Sequence, residues 1–462
     1  RDRMFDCPQN LREEEMFEVP EWAANKVVYQ IFPSRFAATE PVDKELWYKA
    51  PITPMDDLHG NLRGIIEHMD DIQNLGIDVL YMTPIFQSNS CHKYDTTDYY
   101  QIDPSFGTTE DLKELVQKAH ERGMKVVLDA VYNHTGREFF AFADILENGE
   151  KSKYRDWYFI DGFPLKSEWG EIPNFKCFGY YGGMPKLNLK NPEVEKYITD
   201  VACYWIKECD IDGWRLDVGD EISHFFWKNF RKAVKAVKKD MLIIGEIWHY
   251  AGDFLEGDEW DTVMNYPFYL NLIDLLADEK ITVSQFVQNL GYLKGRLHKN
   301  CYPLMWNLID SHDTARFLHL CNDNKKKQHL AAAFQLLLPG MPMIYYGDEY
   351  AMPGANDPDC RRGMYWDEEY QDKEMYEWYK RLIQVRKSHA CIVEGELAGS
   401  VTEDEEGTVV LIRKNGEETI AMIFNCSSSA KKFNEYTQKY NLLTENTFDG
   451  NVEGFDAAVI VL

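Results

Sequence analysis

Short apolar runs and segments of helical periodicity take turns along this chain from Val27 to Gly347, and the alternation continues until eight strands are counted. Such a pattern forces a parallel sheet, because parallel neighbours need a crossover of about a dozen residues, usually helical. The strands read as 27–32, 78–83, 125–130, 213–218, 241–246, 262–266, 305–310 and 342–347. Residues 61–75 put Leu62, Ile65, Ile66, Met69, Ile72 and Leu75 at helical spacing, and Gly76 stops that helix before the second strand. In the next unit Thr108 or Thr109 caps a helix carrying Leu112, Leu115, Val116 and Ala119, and Gly123 ends it before Lys125 to Ala130. A further helix over 221–239 separates the strands that end in Asp217 and Glu246. Eight strands with helical crossovers predict a (β/α)8 TIM barrel.

Two departures from the repeat set the remaining organisation. The third and fourth strands, at 125–130 and 213–218, lie much further apart than their neighbours, and residues 137–186 read as an inserted subdomain B. Beyond Lys387 the runs become short and alternating, at 408–413, 418–424 and 457–462, broken by Asn-Gly and Ser clusters. That stretch predicts a C-terminal antiparallel β-sandwich domain. The expected division is 1–20 as an N-terminal extension, 21–136 with 187–387 as barrel, 137–186 as insertion and 388–462 as β domain.

Composition narrows the ligand. Asp and Glu number 77 against 50 Lys and Arg, leaving a net charge of -27, and that field repels phosphate backbones and anionic lipid. Neither nucleic acid nor a membrane is therefore an expected partner, and no stretch of about 18 apolar residues occurs. The 12 Trp, 27 Tyr and 25 Phe beside so many carboxylates suit a neutral, hydroxyl-rich ligand, although core packing accounts for most of the rings. Ten cysteines without a C-x-x-C pair read as reduced thiols of a cytoplasmic protein; an extracellular one is the reading if a signal peptide was removed.

Ionisable residues gather at the carboxyl ends of the predicted strands: Asp129, Asn133 and His134 after the third, Arg215 and Asp217 on the fourth, Glu246 on the fifth, His312 and Asp313 after the seventh. In a barrel these positions share one open mouth. A lone Asp or His is more often a structural ion pair, so convergence from several strands is what points to a site. Glycosidic hydrolysis needs one ionised and one protonated carboxyl group, about 5 to 5.5 Å apart when configuration is retained. Arg215, on the same side of its strand as Asp217, is expected to keep that carboxylate ionised. Glu246, beside Ile247 and Trp248, is expected to be desolvated and to titrate high, as an acid does. Motifs for nucleotide, zinc-protease and serine-hydrolase chemistry are missing, and no cofactor is required.

Asp129-Ala-Val-Tyr-Asn-His134, Asp212-Gly-Trp-Arg-Leu-Asp217, Gly245-Glu-Ile-Trp248 and Ser311-His-Asp-Thr314 resemble the four ordered signature regions of the α-amylase family of glycoside hydrolases. Met184-Pro-Lys-Leu-Asn188, His92-Lys-Tyr-Asp-Thr96 and residues 357–362 (DPDCRR) resemble its neopullulanase, cyclomaltodextrinase and maltogenic amylase subgroup. The resemblance implies Asp217 as nucleophile, Glu246 as acid and base, and Asp313 as the third carboxylate. It implies Tyr94 stacked under the reacting glucose, His134 and His312 on its hydroxyls, Arg215 beside the nucleophile, Asp357 and Arg361 on the neighbouring glucose, and Trp248 on the acceptor side.

Three activities stay open at this point. The first is a retaining hydrolase of α-1,4 bonds, with or without α-1,6 activity, in maltooligosaccharides, cyclodextrins, pullulan or starch. The second is a transglycosylase, decided by acceptor-side residues such as Val218, Gly219 and Trp248; the third is a silent amylase-like binding subunit, against which the retained carboxylates speak. Ser34 and Ser311 replace an Asp and an Asn usual in relatives, and residues 37–44 lack most of the oxygen ligands of a first-strand-loop calcium site, so no calcium is expected there. Asn133 matches a calcium-holding residue of other α-amylases, or else anchors the inserted loop by a hydrogen bond. Subgroup members carry an N-terminal β domain that builds a swapped dimer; only residues 1–19 precede Pro20 here, so a monomer or weak homo-oligomer with an open cleft is expected.

Overall fold

Runs such as Val28-Tyr-Gln-Ile31 and Leu242-Ile-Ile-Gly245 are buried at every residue, as a parallel sheet covered on both faces requires. The structure is a computed structural model describing residues 17–168 and 170–462, so most of the expected N-terminal extension over 1–20 lies outside the described residues. The barrel strands are β1 (Val28–Ile31), β2 (Val79–Met82), β3 (Lys125–Ala130), β4 (Gly213–Leu216), β5 (Leu242–Gly245), β6 (Thr262–Val263), β7 (Trp306–Leu308) and β8 (Met341–Tyr345). They pair in the order β6-β5-β4-β3-β2-β1-β8-β7. A parallel bridge from Met264 to Trp306, with the Asn265 N–H donating to the Trp306 carbonyl at 2.8 Å, joins the two ends and closes the barrel.

Local chemistry sets the helix boundaries. Thr108 caps the helix Thr109–Glu121 in a reciprocal capping box with Asp111, and Leu112, Leu115, Val116 and Ala119 are its buried stripe. The single helix expected over 61–75 is two, Leu62–Glu67 and Met69–Leu75, parted at His68. There the imidazole stacks on Trp366 at 3.6 Å and bonds Asp71 at 2.7 Å, contacts that hold the break and that periodicity alone does not report.

Between β3 and β4 the chain passes through a helix, Phe140–Asn148, and then loops tied by antiparallel bridges His134–Lys186, Tyr158–Leu187, Ile160–Phe175 and Cys177–Pro185. At the other end of the chain a six-stranded antiparallel sheet stands beside a two-stranded ribbon, Lys431–Lys432 with Asn451–Val452. One face of that sheet, through Val409, Leu411, Met422 and Phe424, joins the barrel's core, where Phe424 stacks on Phe334 at 4.2 Å. The opposite face packs Val410, Ile423 and Ile460 on Phe433, Phe448 and Val452, the two-residue alternation of a strand covered on both sides. Its edge strand, Glu396–Glu403, escaped the sequence reading because nearly all of its residues are exposed and no apolar alternation marks it. Among the described residues no helix is long and apolar enough to cross a membrane.

Candidate active site

The register of three adjacent strands builds the centre. Asp129 on β3 pairs with Arg215 on β4, and Ala130, Leu216 and Gly245 form the next rung, so Asp217 and Glu246 leave β4 and β5 side by side. The backbone continues the ladder: the Asp217 N–H donates to the Ala130 carbonyl at 3.1 Å and the Glu246 N–H to the Leu216 carbonyl at 3.0 Å.

Arg215 is wholly buried among three carboxylates. Its Nη1 meets Asp129 at 3.0 Å and Asp217 Oδ1 at 2.9 Å, and its Nη2 meets Glu246 Oε2 at 3.0 Å. Glu246 Oε2 also accepts from the Val218 N–H at 2.9 Å, and Oε1 from the Trp248 indole at 3.2 Å. Val218 adopts a left-handed φ of 47°, an uncommon state for a β-branched residue that aims this N–H at Glu246. Trp248, 42% exposed, lies stacked on Tyr266 at 3.9 Å and opens one side of the site to solvent.

Electrostatics departs from the sequence expectation at one point. Burial, and then the Glu246 charge, push the Asp217 carboxyl well above its ordinary value against the pull of Arg215. The upward push thus falls on Asp217, which was expected to stay ionised beside Arg215. Both carboxylates sit on one guanidinium, which is how the Glu246 charge comes to act on Asp217. Asp129, wholly buried, is pushed up to about 6 by burial, against Arg215 and hydroxyl donors from Tyr81 at 2.6 Å and Tyr94 at 2.9 Å.

Tyr94 links this centre to the opposite wall. Its hydroxyl meets His312 Nε2 at 2.6 Å, and the two rings lie nearly parallel, 5.5 Å apart. His312 Nδ1 bonds Gln30 at 2.7 Å, its Nε2 stands 3.3 Å from Asp313, and Arg361 reaches Asp313 at 3.5 Å and Asp357 at 2.8 Å. Burial pushes His312 far below its usual value and His134 down to about 4, so both imidazoles are neutral at pH 7. His134 donates from Nε2 to the Tyr94 carbonyl at 2.9 Å, and its ring packs on Phe178. Both histidines thus have their ring nitrogens engaged by protein groups. Asn133 Oδ1 accepts from the Lys186 ammonium, a hydrogen bond to the inserted segment and one of the two readings open for that residue.

The residues to which the resemblance gives a site role are therefore joined in one network: Asp217, Glu246, Arg215 and Trp248 on one side, Tyr94 and His134 between, and His312, Asp313, Arg361 and Asp357 on the other. Sequence reasoning passed over Gln30, Tyr81 and His92, whose Nδ1 accepts the Tyr94 N–H at 3.0 Å. Gln30 and Tyr81 did carry a signal, as polar groups inside otherwise apolar strands that point into the barrel.

A model of the family described as alpha amylase, catalytic domain matches residues 30–395. A cyclomaltodextrinase of Geobacillus thermopakistaniensis is 46% identical over 430 residues, 92% of this chain and 73% of that protein. Among solved structures, a cyclomaltodextrinase superposes with a TM-score of 0.91 at 38% identity, covering 96% of this chain and 79% of that one. Cyclic α-maltosyl-(1→6)-maltose hydrolase from Arthrobacter globiformis does so with a TM-score of 0.88 at 36% identity, over 96% of this chain and all of that one.

Proposed function

The chain belongs to the α-amylase family, on the branch that holds the cyclomaltodextrinases, and from that premise we propose that it hydrolyses α-glucosidic bonds of maltooligosaccharides and cyclic glucans with retention of configuration. The observation that carries this reading is the single buried guanidinium of Arg215, which holds Asp217 and Glu246 at the ends of adjacent strands. Retention needs two carboxyl groups that close, one of them protonated. In this reading Glu246 acts as the acid, delivering a proton to the leaving oxygen while the Asp217 carboxylate attacks the anomeric carbon. Glu246, now a carboxylate, takes a proton from water as the water's oxygen displaces Asp217, and the α-anomer is released.

The remaining groups fit the positioning of a pyranose. Tyr94 offers a ring fixed by His312 and Asp129, while Asp313, backed by Arg361, supplies a carboxylate for two sugar hydroxyls. Asp357 and Arg361 form a bidentate-capable pair one sugar further out. The names of the relatives, a cyclomaltodextrinase and a hydrolase of cyclic α-maltosyl-(1→6)-maltose, support cyclic glucans as substrates, and α-1,4 bonds, with α-1,6 bonds beside them, are the linkages proposed. Substrate preference follows from parallel product analysis on maltotriose, γ-cyclodextrin, pullulan and starch, which also scores transfer to sugar against transfer to water. The decisive experiment is Asp217→Asn: turnover is expected to vanish while maltooligosaccharide binding persists, and the early product of the wild type is expected to be α by proton NMR. Wild-type-like cleavage by the variant, or a β-anomer, refutes the assignment.

A further inference from the structure

Lys186 lies on the inserted segment but turns its ammonium inward, leaving the side chain only 18% exposed. The Nζ donates to Asn133 Oδ1, just after β3, and to the Glu221 carbonyl at 3.0 Å, just after β4, with the Glu221 carboxylate at 3.5 Å. Oxygens from two barrel loops thus meet on a cation delivered by a third segment. Backbone bonds run alongside, from the Leu187 N–H to the Asn133 carbonyl at 3.0 Å and from the Thr135 N–H to the Pro185 carbonyl at 3.1 Å.

An ammonium has donors only, so it dictates which end of the Asn133 amide faces it. With Oδ1 turned to Lys186, the amide NH2 faces His134 Nδ1 at 3.3 Å. The other ring nitrogen of His134 donates to the Tyr94 carbonyl at 2.9 Å, so the imidazole is seated from both sides in one tautomer and holds the backbone of Tyr94. On the other arm Glu221 closes the short loop that begins at Asp217 and carries Val218, whose N–H bonds Glu246. We propose that Lys186 is a positioning residue for the reaction, a fixed internal cation that sets the Asn133 amide and thereby the His134 ring while pinning the loop between Asp217 and Glu221. The proposal rests on the glycosidase reading for its activity readout, but its structural readout does not. Desolvation of Lys186 lowers its ammonium from the ordinary range without displacing it from these oxygens.

The test is Lys186→Met, followed by kinetics on maltotriose and by 15N spectra of histidine-labelled protein, with His134 assigned by His134→Gln. The apolar side chain leaves the Asn133 amide free to turn. A fall in kcat of about tenfold or more with KM changed less than about threefold is expected, the pattern of a displaced reacting geometry. The His134 Nδ1 resonance is expected to move as its amide donor is lost. A kcat within twofold of wild type, or an unmoved Nδ1 resonance, overturns the proposal. Should K186M fail to fold, Asn133→Leu interrupts the same chain while leaving Lys186 on Glu221, and the same two outcomes decide. A wild type that cleaves no α-glucan refutes the proposed function, whereas the His134 resonance still judges Lys186.

Discussion

Arg215 is the residue on which the acidic centre depends. Three buried carboxylates within reach of one another would repel strongly at low effective dielectric, and the guanidinium compensates all three, Nη1 by hydrogen bonds to Asp129 and Asp217 and Nη2 by its charge 3.0 Å from Glu246. Arg215→Lys keeps the charge but reduces the fork to a point, so the ammonium cannot meet Asp217 and Glu246 together. Turnover is expected to fall on the order of 10²- to 10³-fold, with the alkaline limb of the pH–rate profile moved because the pair no longer shares one cation. A variant within threefold of wild type shows that bridging is unnecessary. At this scale the sequence was informative about chemistry but not about protonation. The i, i+2 spacing revealed that Arg215 faces Asp217, whereas the upward push on Asp217 comes from burial and then from Glu246, a neighbour only once β4 and β5 pair.

At the scale of elements, the ends of β4 and β5 are shaped by a tryptophan. Trp260 is fully buried, stacked on Phe254 at 4.0 Å, and a Cβ at Gly219 would stand 2.8 Å from its Cζ2. A Cβ at Gly245, one residue before Glu246, would overlap the same indole. Since Trp260 is locked by its stack, Gly245→Ala must shift the strand end instead. It is expected to cost about 1–3 kcal/mol, read as a lowered denaturation midpoint, and to depress kcat because Glu246 moves with the strand. Unchanged midpoint and rate would show that Trp260 yields. That these two positions exclude a side chain was not legible in the sequence, since what excludes it comes from residues remote along the chain. The strands themselves were legible because burial on both faces leaves an unbroken apolar run. The exposed edge strand Glu396–Glu403 and the break at His68 were not, because neither leaves a periodic trace.

Across the whole molecule, buried carboxyl groups also gather behind the mouth, where the barrel meets its outer helices. Glu349 follows β8 and is wholly buried; it accepts from the Tyr29 hydroxyl at 2.6 Å and the Gly347 N–H at 2.9 Å. Burial raises its carboxyl to about 7; burial raises Asp348 and Asp310 beside it as well, and the Asp310 charge raises Asp348 further. None of this was legible in a sequence whose acidic excess was read as a field that repels phosphate and anionic lipid. A carboxyl whose folded value exceeds its unfolded one binds its proton more tightly in the folded state. Its contribution is therefore fully present below about 4.5 and is lost as pH rises through 7, by on the order of 3 kcal/mol for Glu349. Glu349→Gln keeps an oxygen for the Gly347 N–H, turns its NH2 to the Tyr29 oxygen and removes the titration. The variant is expected to match wild type in thermal midpoint near pH 4.5 and to exceed it by several degrees at pH 8, because only the wild type must then bury a charge. Equal differences between the two proteins at both pH values would mean that Glu349 is already ionised, or solvated, in the folded barrel.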